Sequence, residues 1–265
     1  MIHKESAESE GRLMTKRYAL RDDQWSRIKD LLPGRQETVG VTAKDNRLFI
    51  DAVLYRYRAG IPWRDLPESF GKSNTIFKRF TRWSKDNKLL KIFKLLSKYA
   101  DLEWVFIDTS HIRAHQHATG LKDQAISRSI GGNSTKIHLA VDSNANPIQF
   151  LIHDGTTHDV SVAPALVDSI DLKDTDVLCA DKGYDSELLR EQIEKTATKA
   201  NIPKKSNTRS NNDYMDWYLY KIRHLVENAF ARLKQFRGIA TRYDKLKQNY
   251  ENSVALACIF IWLPL

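Results

Sequence analysis

Two short apolar runs, each ending in an aspartate, constrain the fold of this chain most. Residues 104–107 lead directly into Asp108, and residues 177–180 lead directly into Asp181. Unbroken apolar runs are typical of strands covered on both faces, although periodicity alone leaves a buried helix segment open. In open α/β sheets, functional groups gather beyond the carboxyl ends of the strands. We therefore predict that the two carboxylates converge; the alternative is that each only caps the turn that follows.

Converging carboxylates imply a neutralising partner. Neighbouring acids repel each other, and burying them costs desolvation energy. Proteins tend to keep such a pair only where a cation balances it, so the two runs predict a cation site.

The length and the cysteine content indicate a chain that folds without covalent staples. Its 265 residues suffice for one large domain or two ordinary ones with a real core. The two cysteines, Cys179 and Cys258, lie in apolar runs without metal-type spacing, which favours buried thiols in a reducing cytosol.

The ends of the chain contain no pattern of a secreted or membrane protein. Residues 1–17 are mixed in charge and lack an apolar core segment, so we expect a disordered leader. The last apolar run, residues 254–263, is too short to span a bilayer. We expect a soluble, cytoplasmic protein that does not bind membranes.

Charge is unevenly distributed along the chain, whose net charge is +9. Residues 42–100 contain fourteen Lys or Arg and five acids, and residues 199–247 contain twelve and four. Residues 101–198 reverse the balance, with eight basic and sixteen acidic residues. Basic flanks around an acidic middle suggest a polyanion held from outside and a cation site within, although ordinary solvated helix faces give the same counts.

Residues 18–100 predict a small all-helical domain. Helices are expected at about 22–32, 44–58 and 74–87, and another at 89–99 links to the next domain. The third helix contains Lys78, Arg79 and Arg82 on a basic face, as in the last helix of a helix-turn-helix unit. These three residues are candidate DNA contacts, but amphipathic bundles that do not bind DNA share the pattern.

Three histidines, His111, His115 and His117, follow Asp108 in a polar segment. Imidazoles are frequent zinc ligands, but the spacing is irregular and no cysteine is nearby. We favour loop histidines that meet phosphate or assist the site.

Residues 101–265 predict an α/β domain. A hairpin is expected at 136–152, a helix from Asp159, a helix at 186–195 and a short strand near 200–203. Together with the two aspartate runs these make five strands, in the element order of the RNase H-like fold. Fold order alone assigns no function.

A third carboxylate lies on the long helical pattern that begins at Asp213. Tyr220, Arg223, Glu227 and Lys234 fall at offsets 0, 3, 7 and 14. At about 100° per residue, these four lie within an arc of roughly 60° beside the apolar stripe. One helix edge therefore presents an acid flanked by groups that bind phosphate.

The same four residues carry a resemblance to a known family. Their spacing resembles the signature around the catalytic glutamate of DDE transposases of the insertion-sequence four and five group. The likeness to the insertion-sequence-five branch extends over nearly the whole chain from Tyr18. It includes the segments 62–67, 108–111, 115–117, 135–138, 180–185, 223–228, 232–237 and 241–245.

This resemblance implies the roles of the site residues. Asp108, Asp181 and Glu227 correspond to the catalytic Asp, Asp and Glu, and would hold two Mg²⁺ ions, or Mn²⁺ in their place, about 4 Å apart. Asp108 would bridge the ions, and Asp181 and Glu227 would each hold one. Tyr220, Arg223, Lys234 and Arg237 would bind DNA. Asp185, four residues after Asp181, is interpreted as a helix-capping residue.

The resemblance leaves three functions open. The protein is expected to be a transposase that cuts double-stranded DNA at terminal inverted repeats and joins strands, working as at least a homodimer on DNA. The alternatives are a nuclease that only hydrolyses and a non-catalytic DNA-binding protein derived from an element.

Overall fold

The computed structural model describes residues 17–34, 43–205 and 211–263. The predicted leader therefore lies outside the described residues except for Arg17. No helix in these three ranges is both long and apolar enough to cross a bilayer.

Four helices form the amino-terminal part of the structure. They are α1 (Asp22–Ile28), α2 (Asn46–Ala59), α3 (Ser73–Lys85) and α4 (Lys88–Leu96). Helix α2 begins where the Asp45 carboxylate accepts a hydrogen bond from the Leu48 N–H at 2.8 Å. It ends at Gly60, whose φ of 70° is readily available only to glycine. The four helices agree with the predicted ones within a few residues.

The remaining helices and strands build one sheet with helices on both sides. The strands are β1 (Trp104–Ala114), β2 (Ser127–Ser129), β3 (Gly132–Val141), β4 (Pro147–Asp154), β5 (Val177–Cys179), β6 (Lys199–Asn201) and β7 (Thr241–Arg242). The helices are α5 (Asp159–Asp168), α6 (Glu187–Glu194), α7 (Trp217–Ile222), α8 (His224–Lys234), α9 (Arg237–Ala240) and α10 (Lys247–Trp262). Short 3-10 helices occupy Lys29–Leu31, Trp63–Asp65, Glu68–Phe70, Ser97–Tyr99, Gln116–Ala118 and Lys182–Tyr184.

The sheet is mixed, and its main order is β4-β3-β1-β5-β6. Strand β3 runs antiparallel to β1 and β4, whereas β5 is parallel to both β1 and β6. This order confirms the five-stranded RNase H-like sheet. Two short strands were not predicted: β2 pairs with β3, and β7 pairs with the end of β1.

Each face of the sheet has its own hydrophobic cluster. Alternate residues of β1 point to opposite faces, so Phe106 and Val105 enter different clusters. The larger cluster, on the Phe106 side, includes residues of α1–α4, α8 and α10; the smaller one includes residues of α5 and α6. The amino-terminal helices thus share one core with the sheet. The domain boundary at residue 100 stays a prediction.

Close backbone contact also joins the helical region to the sheet region. A Cβ placed on Gly238 would lie 2.9 Å from Cδ1 of Tyr57 and 3.3 Å from its backbone. Arg56, next to Tyr57, forms a buried ion pair with Asp244 at 3.4 Å. Only glycine at position 238 allows α2 and α9 to approach this closely.

Two predicted elements differ from the structure. Strand β1 continues to Ala114, so His111 lies in a strand and not in a loop. The helix expected from Asp213 is interrupted at Arg223, where α7 ends before α8 begins. Both cysteines are buried and unpaired, as predicted.

Candidate active site

The register of β1 and β5 places the two aspartates on neighbouring strands. Trp104 pairs with Val177 and Phe106 with Cys179, where the pairing ends. Asp108 and Asp181 each follow two residues later, and they are close enough for the charge of Asp181 to act on Asp108. By strand alternation, Asp108 faces the same side of the sheet as Phe106. Helix α8 packs on that side.

Asp108 is largely enclosed, and both of its carboxylate oxygens have partners. Its Oδ1 accepts a hydrogen bond from the Thr109 N–H, and its Oδ2 accepts one from Nη1 of Arg223, both at 2.8 Å. Burial raises the pKa of Asp108, and the charge of Asp181 adds to this. The Thr109 N–H and Arg223 oppose the rise without cancelling it.

Asp181 lies at the turn that follows β5. Its Oδ1 accepts a hydrogen bond from the Gly183 N–H at 2.8 Å and caps the 3-10 helix Lys182–Tyr184. A Cβ on residue 183 would come within 2.8 Å of that oxygen. Gly183 therefore leaves room for the carboxylate to fold back over its own turn.

Glu227 reaches this region from the first turn of α8. Arg223 donates through Nη2 to Oε1 of Glu227 at 2.8 Å, so one guanidinium joins Glu227 to Asp108. Burial lowers the pKa of Arg223, but Asp108 and Glu227 outweigh it, and the net shift is upward. Glu227 itself is mostly exposed, with 55% of its side chain accessible.

The helix break corrects the prediction of one continuous edge. Tyr220 belongs to α7, whereas Glu227 and Lys234 belong to α8, so the four signature residues do not follow one uninterrupted helix. Arg223, at the junction, keeps helical angles and its guanidinium lies 5.8 Å from the centroid of the Tyr220 ring. Lys234 is exposed at the far end of α8.

The three carboxylates are suitable ligands for a hard divalent cation, but two of them, Asp108 and Glu227, are bound to Arg223. Carboxylate oxygens suit Mg²⁺ and Mn²⁺. Within the described ranges, no three His, Cys, Asp or Glu side chains are grouped so as to hold a metal ion. Arg223 instead forms one ion pair with Asp108 and another with Glu227. A cation shared by these acids therefore requires the guanidinium to turn away.

The cations of helix α3 divide into two kinds. Lys78 and Arg82 are exposed. Arg79 is half-buried: it donates to the Asn46 side chain and the Asp45 carbonyl and stacks 4.1 Å from the Phe49 ring centroid. It is therefore a structural residue that holds α3 against α2, which leaves Lys78 and Arg82 as the free cations of the three. Arg237, the first residue of α9, is exposed.

Asp185 is not the helix cap. Ser186 caps α6 by accepting a hydrogen bond from the Leu189 N–H. Asp185 instead forms an ion pair with buried Arg190 at 2.5 Å and accepts a hydrogen bond from the Lys205 N–H at 2.8 Å. These contacts lower the pKa of Asp185 against the effect of burial, which raises it.

The polar network around Thr109, the residue that follows Asp108, was not predicted from the sequence. The Thr109 hydroxyl lies 2.6 Å from the Tyr184 hydroxyl and 2.8 Å from Nδ1 of His138. It ties the strand of Asp108 to the turn that follows Asp181. The only sequence signal was position: Thr109 is next to Asp108, and Tyr184 comes three residues after Asp181.

Comparisons with known proteins show the family of the chain. A family profile described as "Transposase DDE domain" matches residues 100–262, and one described as "Putative transposase of IS4/5 family" matches residues 20–93. Over 130 residues, 49% of this chain, it is 35% identical to a Brucella ovis protein named "Putative transposase for insertion sequence element IS6501", of which it covers 98%. Over 124 residues, 47% of this chain, it is 39% identical to the uncharacterized protein y4sN of Sinorhizobium fredii, of which it covers 95%.

A solved structure has a weaker likeness. A piggyBac transposase synaptic complex with hairpin DNA aligns with 75% of this chain at 15% identity and a TM-score of 0.39. This chain spans about half the length of that protein, 52%. The profile described as "Transposase DDE domain" covers more than half of this chain, and the residues it matches include the five-stranded sheet. The chain therefore belongs to the DDE transposases, within the IS4/5 group.

Proposed function

We propose that this transposase cuts DNA at the terminal inverted repeats of an insertion sequence and joins the freed end to target DNA. Asp108, Asp181 and Glu227 are its catalytic carboxylates in this proposal. The observation that supports it is the junction at Arg223, which contacts both Asp108 and Glu227. Asp181 follows the strand that pairs with the strand of Asp108. In this proposal Asp181 and Glu227, which follow Asp108 by 73 and 119 residues in the sequence, meet it at one end of the sheet.

The three carboxylates would hold divalent ions, Mg²⁺ or Mn²⁺, two in each active site. When bound, such ions supply the positive charge that activates an attacking oxygen and neutralises the leaving oxygen of a phosphodiester. Without them, the single positive charge of Arg223 offsets part of the repulsion between Asp108 and Glu227.

The reaction needs two successive attacks on phosphorus. Water first attacks at the element end and breaks the P–O3′ bond, which leaves a 3′-hydroxyl on the element. That hydroxyl then attacks a phosphodiester of the target, forming a new P–O bond and releasing a target 3′-hydroxyl. Asp108, which is less exposed than Glu227 and is held by the Thr109 N–H and Arg223, is suited to hold the centre of this site rigidly.

Double-stranded DNA would be held by the exposed cations around the site. Lys234 and Arg237 would contact phosphates near the cleaved end, with Arg223 and Tyr220 beside them, and Lys78 and Arg82 would contact DNA from α3. Two ends must be brought together, so the working form would be at least a homodimer on DNA, acting in the cytoplasm.

A product assay tests the proposal. The full chain is incubated with Mg²⁺ and DNA that flanks its own coding region, and products are separated by length. We expect cut and joined products from the wild type and from Asp174→Asn, an exposed acid away from the site, but from Asp108→Asn only bound DNA. Cut products without joining would indicate a nuclease, and binding alone a non-catalytic protein. Full activity of Asp108→Asn would refute the assignment.

A further inference from the structure

A cavity lies where three sequence segments outside the proposed catalytic site meet. Its volume is about 460 Å³, and it is bordered by the loop after α2, the turn after β1 and the residues after β7. All three segments belong to the resemblance noted in the sequence, yet none has a role in cutting DNA as proposed. We name it the ring cavity, after the side chains of Trp63, His115, His117 and Tyr243 that border it.

The rings are held in place by the surrounding structure. Trp63 packs against Tyr57 and Phe80, with ring centroids 6.0 and 5.2 Å away. His115 donates its backbone N–H to the Arg242 carbonyl at 2.9 Å, which sets its ring beside Tyr243. The centroids of the His115 and Tyr243 rings are 4.9 Å apart, and the rings are tilted by 30°. A flat ligand would therefore meet a preformed wall.

Part of this wall remains accessible. Tyr243 is 37% exposed although it is a large aromatic residue, and His117 is exposed beside His115 at a ring distance of 4.7 Å. Aromatic side chains left open in this way next to a cavity are available to stack on a planar ring.

The described lining of the cavity offers no acid that would pair with a cationic ligand. Arg56 borders it and lies 5.0 Å from the Trp63 ring centroid. The acid behind it, Asp244, is already matched by Arg56 and by the Tyr57 hydroxyl, which donates at 3.1 Å. None of the described residues that border the cavity is an acid. Exposed Arg237 packs through its Cβ against Gly60, which borders the cavity, and this makes Arg237 a candidate phosphate contact.

We infer that the ring cavity binds a nucleobase that has left the stack of the bound DNA. A base supplies the planar ring for Tyr243 and Trp63, a polar edge for the imidazoles, and an attached phosphate for Arg237. The inference rests on the proposed function only in requiring that DNA is bound.

The cavity lies away from the proposed catalytic carboxylates. His115 directly follows β1 and comes seven residues after Asp108, or roughly 23 Å of extended chain. The cavity is thus a contact separate from the carboxylates.

Two single-stranded probes test the inference without metal or cleavage. One is oligothymidylate, and the other is an abasic oligomer of equal length and charge. We expect the wild type to bind oligothymidylate about tenfold more tightly, the increment of one stacked base. The double variant His117→Ala, Tyr243→Leu should lose this preference and still bind the abasic oligomer. Tyr99→Leu, a control at a more exposed aromatic residue, should keep it.

Each result supports or overturns the inference. Equal binding of both probes by the wild type, or an unchanged preference in the double variant, would overturn it. Failure of the wild type to bind either probe would overturn the inference alone, because the proposed function is tested separately by the product assay on double-stranded DNA. Photocrosslinking with 5-iodouracil placed in the oligothymidylate is a second measurement, and it needs no protein variant. Crosslinks should map to Trp63, His115, His117 or Tyr243, and crosslinks only elsewhere would contradict the inference.

Discussion

Nη1 of Arg223 lies 2.8 Å from Oδ2 of Asp108, so that the two side chains form an ion pair. The second nitrogen of the guanidinium is equally close to Glu227. An arginine in this position competes with any cation that binds the same acids. Metal binding and arginine release should therefore be coupled.

Arg223→Gln should raise the affinity of the DNA-free protein for Mn²⁺. Removing the guanidinium frees Asp108 and Glu227, and a coupling of about 1–3 kcal/mol corresponds to roughly tenfold tighter binding. Titration calorimetry measures it. Lys221→Gln, at an exposed cation in α7, is the control and should change little. Unchanged or weaker Mn²⁺ binding by Arg223→Gln would show that the arginine does not compete.

Acid should destabilise the protein through His138. Burial lowers the pKa of His138 to about 4 from 6.5. Between these values the unfolded chain binds a proton that the folded chain does not, so stability falls as the pH drops through 6.5 and levels off near 4. The contribution is at most about 3 kcal/mol.

Urea unfolding at several pH values isolates this contribution. His138→Gln should show a weaker pH dependence than the wild type between about pH 4 and 6.5, because glutamine does not titrate. His224→Gln, at an exposed histidine, should behave as the wild type does. If His138→Gln and the wild type share one slope, His138 is not the group responsible.

Gly238→Ala should destabilise the contact between α2 and α9. The added methyl group would lie 2.9–3.3 Å from the Tyr57 ring and backbone, and overpacking of this kind costs about 1–3 kcal/mol. Gly131→Ala is the matched control, since its nearest neighbour would be the Ser129 hydroxyl at 3.7 Å. Equal unfolding free energies for the two variants would contradict the tight packing described for Gly238.

Asp185 should prove structural and not catalytic. Asp185→Ala leaves buried Arg190 without its carboxylate, a loss of about 3 kcal/mol or more. Mn²⁺ affinity should nevertheless match that of the wild type. Thermal unfolding and calorimetry on the same preparation check both expectations. A stable variant with weakened Mn²⁺ binding would instead make Asp185 a ligand.

The sequence predicted those parts of the fold that depend on local patterns. The helices of residues 22–96 follow apolar spacing and capping residues, and the Asp108 and Asp181 runs are strands because their residues are apolar without interruption. The continuation of β1 through Ala114 was missed because residues 109–113 are largely polar. Their strand conformation is fixed by pairing with β3 and β7, which is not a local property.

Contacts between distant residues account for the other differences. Arg79 has the sequence surroundings of a DNA contact, but its side chain contacts Phe49 and Asn46, which lie 30 and 33 residues earlier in the chain. The ion pair of Arg56 and Asp244 spans 188 residues and has no sequence signature. The break at Arg223 occurs within an unbroken helical pattern, and there the guanidinium reaches Asp108 as well as Glu227.

The central claim is that Asp108, Asp181 and Glu227 share divalent ions, and iron-directed cleavage of the protein tests it most directly. Fe²⁺ is added in place of Mg²⁺, and the hydroxyl radicals formed with peroxide and ascorbate cut the backbone near the bound iron. We predict cuts close to residues 108, 181 and 227, suppressed by excess Mg²⁺ and lost in Asp108→Asn. Cuts that miss any of the three segments, or that persist unchanged in Asp108→Asn, would contradict the shared site.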